Sequence, residues 1–167
     1  MALGDDQRVA LGNGEPVQDR HSCVGAHPNS PLRQAAKWLG VILQYLTAQI
    51  AAGAKAIIIC EPAANKVYFS PNQLAKSYEV FDRFVMEPNR RIKEFLATHG
   101  VDLIFHDCGE LLDGMVRRFT TLDPVILSLG SSRKLWDDAA LVPKSTILYG
   151  FCPPNGSTPT RSLAWLR

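Results

Sequence analysis

The sequence predicts an α/β fold, and three observations predict it. Short apolar runs alternate with helical periods across residues 32–149. The first run, Ala56-Ile57-Ile58-Ile59-Cys60, is apolar on both faces, which suits a parallel strand covered on each side. Glycine and proline punctuate the alternation. Strands that alternate with helices form a parallel sheet with right-handed crossovers.

The elements follow in order. Residues 1–30 carry turn formers and little periodicity (Gly12-Asn13-Gly14, Glu15-Pro16, His27-Pro28-Asn29) and read as an irregular or disordered segment. Order begins at Ser30-Pro31, an N-cap and first helical residue. Ala35, Trp38, Leu39, Ile42, Leu43, Leu46 and Ile50 then share a helical face, and Gly53 stops the helix. After the first strand, Ser70-Pro71-Asn72-Gln73 reads as a capping box. The helix it opens buries Leu74, Tyr78, Phe81 and Val85, and Pro88 breaks or restarts it. A second helix turns Ile92, Phe95 and Leu96 inward and ends near Gly100, with His99 as its C-terminal residue. Strands are expected at 101–105, 124–128 and 145–149, and helices at 110–119 and 132–141. Asp123, before Pro124, marks the rim where a strand starts.

These are about four β/α units. They fit a small open doubly wound sheet or part of a (β/α)8 barrel of the TIM type. A complete barrel takes about 250 residues, so 167 residues supply about half of one. The formal net charge of +2, from 18 basic and 16 acidic residues, argues against capture of nucleic acid or an anionic membrane. The N-terminus lacks the basic start and apolar run of a signal peptide, and no apolar run is long enough to span a bilayer. Cys60 and Cys108 end strand-like runs, where reduced thiols are usual. A cytoplasmic protein is expected.

Several stretches between Gly53 and Gly150 resemble the uroporphyrinogen decarboxylase family of (β/α)8 barrels. They are Gly53-Ala54-Lys55-Ala56-Ile57-Ile58-Ile59, Ser70-Pro71 ahead of the segment from Phe81 to Pro88, Phe105-His106-Asp107-Cys108-Gly109, and the last strand into Tyr149-Gly150. The resemblance implies the C-terminal half of such a barrel, residues 31–150. It also implies a small-molecule substrate. One branch of the family removes the acetate carboxyls of uroporphyrinogen, a tetrapyrrole, in porphyrin biosynthesis without a metal or cofactor. Its catalytic segments lie early in the chain and have no counterpart here. The other branch passes a methyl group between a corrinoid or other methyl donor and a thiol, uses zinc, and carries His-x-Cys-Gly after a strand plus a distant Cys.

That motif makes His106 and Cys108 the expected Zn2+ ligands, at the strand end where β/α barrels build their sites. Physics alone favours a hydrogen-bonded turn histidine and a small buried cysteine. Cys152 lies 44 positions after Cys108, closer than the family's last ligand. Glu61 ends the first strand on the same rim. The resemblance implies an acid there that binds or polarises substrate, against a solvated loop carboxylate. Asp107 suits a turn, or a partner that orients His106. His21, Cys23 and His27 lie in an unpatterned segment, so their spacing reads as chance.

Residues 151–167 have no hydrophobic period and depart from the family pattern after Gly150. Their codons can be chosen so that a shifted frame resumes that pattern, so a truncated or frameshifted product with an incomplete active site is one expectation. An inactive remnant is another. Half a barrel would leave two open strand edges, inviting self-association.

Overall fold

A computed structural model describes residues 30–150. The expectations for residues 1–29 and 151–167, including His21, Cys23, His27 and Cys152, lie outside the described residues. The chain divides into two compact units, Met1–Lys37 and Trp38–Arg167. In the first, Pro31 opens helix α1 (Pro31–Ala51), and Ser30 Oγ accepts the Arg33 N–H at 3.3 Å, so the expected start is met.

The second unit carries β1 (Ala56–Cys60), β2 (Asp102–Asp107), β3 (Ile126–Leu129) and β4 (Ile147–Gly150). They form one parallel sheet in the order β1-β2-β3-β4, the α/β architecture of a partial barrel. β2 runs two residues beyond Phe105 and so includes His106 and Asp107. Its ladder is extended by the Glu61 N–H, which donates to the His106 carbonyl at 2.9 Å.

The connecting helices are α2 (Pro71–Lys76), α3 (Glu79–Phe81), α4 (Glu87–Thr98), α5 (Asp113–Thr120) and α6 (Leu135–Asp138). The last two are shorter than the periodicity suggests. The expected capping box is not made: Ser70 is the N-cap, but its side chain makes no capping hydrogen bond. The single helix expected after it is also interrupted. Ser77 is extended (φ −162°, ψ 140°), and its Oγ accepts the Glu79 N–H at 3.1 Å to start the next turn. A π-helical turn, Asp82–Met86, then leads into α4, with the Glu87 N–H bonding five residues back to the Asp82 carbonyl. Pro88 then lies in the first turn of α4, the helical position where a missing N–H is tolerated.

Side chains alternate across the sheet. Ile57, Leu103, Phe105, Leu127 and Leu129 are buried. Phe105 stacks on Phe119 of α5 with ring centroids 4.9 Å apart, and Phe119 meets Phe81 at 5.9 Å, which identifies the helix-facing side. The other face carries two rows in register: Ile58, Ile104, Ile126 and Ile147, then Cys60, His106, Ser128 and Tyr149. Ile58 is 57% exposed and Ile147 55%. The expectation of a strand covered on each side therefore holds on one side only among the described residues. A closed barrel would enclose these rows.

Helix α1 corrects a second expectation. Leu39 and Leu46 are buried, with Leu43 and Ile50 packed beside them, but Trp38 and Ile42 are exposed. Trp38, Val41, Ile42 and Tyr45 make a second apolar stripe at helical spacing. Among the described residues no helix is long and apolar enough to cross a membrane.

Candidate active site

The C-terminal ends of β1, β2 and β3 bring the polar residues together, and the strand alternation sorts them onto two sides. On the exposed side, His106 pairs in register with Cys60 of β1 and Ser128 of β3. Its Nδ1 lies 2.9 Å from Ser128 Oγ. Ser128 is buried, and the imidazole is half-buried. Two residues on, Cys108 is an exposed free thiol, as is Cys60. Gly130, just past β3, lies against the Cys108 backbone. A Cβ there would sit 2.7 Å from both the Cys108 Cα and its carbonyl oxygen, so only glycine permits this approach.

On the helix-facing side, Asp107 is fully buried. Its Oδ1 accepts the Gly109 N–H at 2.7 Å, and its Oδ2 has no hydrogen-bond partner. Burial pushes this carboxyl up to about 7. The Gly109 N–H opposes the shift, and the nearby Glu61 carboxylate adds to it. Asp107 thus makes the expected turn contact, but Ser128 is the hydrogen-bond partner of the His106 ring.

Glu61 is half-buried at the end of β1. Burial raises its pKa, and the Asn89 amide, donating from α4 at 3.1 Å to Oε2, works against that. Asn89 also donates to the Val85 carbonyl inside the π-helical turn at 2.9 Å. Asn89 could not be found from sequence, because its position follows from the widened turn. The only available hint was Pro88 beside it, which signals irregular helix.

The loop after β1 docks on the loop after β2. Asn65 Nδ2 donates to the Pro62 carbonyl at 2.6 Å, and its Oδ1 accepts the Val67 N–H at 2.8 Å. The Lys66 N–H donates to the Glu110 carbonyl at 2.8 Å, and the two side chains pair at 2.7 Å. Gly109 fits beneath Asn65, where a Cβ would lie 2.5 Å from that of Asn65. The glycine of the His-Asp-Cys-Gly turn is therefore required by packing.

An imidazole and a thiol at this rim suit Zn2+ by donor type. Among the described residues, however, no group of three His, Cys, Asp and Glu side chains gathers to hold a metal ion. The described residues therefore do not complete a zinc site, and Glu61 is bonded to Asn89 on the helix-facing side.

No curated protein and no solved structure matches the chain. The family model described as "Uroporphyrinogen decarboxylase (URO-D)" matches residues 25–154. That span covers every described strand and both sides of the rim, and the chain belongs to the uroporphyrinogen decarboxylase family.

Proposed function

We propose that this domain forms part of the active site of a zinc-dependent enzyme that transfers a methyl group from a corrinoid or other methyl donor to a thiol. His106 and Cys108 would be two of the zinc ligands, and the third would come from outside the described residues. The observation that carries this reading is the seating of His106. Its ring is tethered through Nδ1 to Ser128, and Nε2 has no hydrogen-bond partner among the described residues, two positions from an exposed thiol. Metal-binding histidines are held by their second nitrogen in this way.

Zinc held by His106 and Cys108 would supply a Lewis acid that favours the thiolate form of a substrate thiol. The chain's own contributions are to hold the two donors at a strand end and to set Glu61 at the same rim. There the acid binds or polarises substrate while Asn89 fixes its carboxyl. Free thiols at Cys60 and Cys108 accord with a reducing, cytoplasmic setting.

The test is metal content. Protein purified with zinc present should carry it, and Cys108→Ala should lose it. Metal-free wild-type protein after zinc-supplemented purification would overturn the reading.

One observation favours a second reading, a tetrapyrrole decarboxylase. Asp107, pushed up to about 7 beside Glu61, is a buried proton reservoir at the rim. Decarboxylation breaks the C–C bond, releases CO2 and leaves an electron pair on carbon, which must take up a proton. Consumption of uroporphyrinogen that is indifferent to chelators would support it.

A further inference from the structure

We propose that two copies of this chain pair edge to edge and close one eight-stranded barrel between them, with β4 of each copy hydrogen-bonded to β1 of the other. The four parallel strands lie side by side in sequence order, so the sheet has one free edge at β1 and one at β4 among the described residues. Both edge strands are built like interior ones. β1 reads Ala56-Ile57-Ile58-Ile59-Cys60 and β4 reads Ile147-Leu148-Tyr149-Gly150, with no charged residue or proline to discourage pairing. The Glu61 N–H turns inward to the His106 carbonyl, and the Ile147 N–H turns inward to the Val125 carbonyl, both at 2.9 Å. Peptide groups alternate along a strand, so the Ile58 and Cys60 N–H groups point out from β1 and the Leu148 N–H points out from β4.

The exposed apolar surface lies where such pairing would cover it. In the row Ile58, Ile104, Ile126 and Ile147, the two central side chains are half-buried, while the two at the edges are the exposed ones. Branched side chains of this kind fill the interior of a parallel barrel. A right-handed crossover lays the helix ahead of a strand against the preceding strand as well. β1 has no preceding strand among the described residues, and Trp38, Val41, Ile42 and Tyr45 of α1 stand exposed. β4 of a second copy would supply that strand. The occupant is a second copy because one partner must satisfy both edges at once. β1 and β4 run parallel and complement each other, so a twofold repeat uses both edges of both copies and leaves none over. Four strands from each copy make eight, the number at which side chains just fill a barrel. All eight C-terminal strand ends then share one rim, where the Cys60, His106, Ser128 and Tyr149 row of each copy faces that of its partner.

The test is sedimentation velocity of the full 167-residue chain from about 1 to about 100 µM, with hydrogen exchange of the edge amides read by NMR over the same range. The 18.4 kDa chain should be a dimer at the upper end and go no further. The Ile58, Cys60 and Leu148 amides should be protected in that dimer. Ile147→Lys and Tyr149→Lys, both at positions exposed in the single chain, should stay folded by circular dichroism and weaken the dimer at least about 10-fold. Ile58→Ala should weaken it too, while leaving the unfolding of the dilute monomer almost unchanged. A wild-type chain that stays monomeric at about 100 µM, with its edge amides protected or not, would overturn the proposal. Chains that keep adding beyond two would overturn it as well, since edges would then pair without closing. A dimer whose three edge amides exchange freely, or one that both lysine variants leave at wild-type strength, would place the contact on another surface and overturn it.

Discussion

Asp107→Asn should make the folded chain more stable at neutral pH. The native carboxyl is buried with one oxygen unpartnered, and it is pushed up to about 7 from an ordinary 3.8. Between those values the folded state holds a proton that the unfolded state has released, so stability falls as pH rises. Linkage over these two values gives a loss of about 3 kcal/mol between pH 5 and pH 8, and about 4 kcal/mol in all by pH 8. Above pH 7 the loss levels off, because both states are then ionised. Asparagine keeps an acceptor for the Gly109 N–H and removes the charge that the buried carboxyl would carry. Urea unfolding of both proteins across this pH range reads the difference. The wild-type curve should fall relative to the variant's by about 3 kcal/mol. Infrared spectroscopy should show a protonated carboxyl that disappears near pH 7 in wild type and is absent from the variant. Parallel pH dependences in the two proteins, with no such band, would refute the claim that Asp107 is held neutral by burial.

The two faces of the sheet should respond differently to truncation. Ile57→Ala, on the buried face, should cost about 2–4 kcal/mol in denaturant unfolding, and Ile58→Ala, on the exposed face, less than about 0.5 kcal/mol. Gly130→Ala should cost about 1–3 kcal/mol, because its Cβ would meet the Cys108 backbone, and the same titration checks it. Arg133→Met should cost about 3–5 kcal/mol, measured by thermal unfolding, since it strips the partner from Asp138, whose side chain is 0% exposed. Asn89→Leu removes the donor to Glu61 and should raise that carboxyl's pKa further, as read by 13C NMR titration.

The alternation of strands and helices was legible because each strand is short, apolar and bounded by turn residues. The stops at Gly53 and Gly100 were legible for the same local reason, and both residues have positive φ. What escaped depends on atoms distant in sequence. The break at Ser77 and the π-helical turn, which brings Asn89 to Glu61, are encoded by no periodicity. The packed stripe of α1 is narrower than its spacing predicts, because seven residues at helical spacing cover more arc than one packed face. Leu39, Leu43, Leu46 and Ile50 fill that face, and Trp38 and Ile42 fall beside it.

The site shows the same limit more sharply. Sequence order groups His106, Asp107 and Cys108 into one turn and suggests that they act together. A strand places neighbours on opposite faces, so the turn splits into two systems. His106 joins Cys60, Ser128 and Tyr149 in a row across the exposed face. Asp107 joins Gly109, Glu61 and Asn89 above the aromatic core. The first system has an anchored imidazole and exposed thiols, and the second has two carboxyls whose pKa values burial raises. The two proposed chemistries therefore make opposite demands on neighbouring residues. Metal binding should be lost with Cys108→Ala and tolerate Asp107→Asn, whereas proton delivery should be lost with Asp107→Asn and tolerate Cys108→Ala.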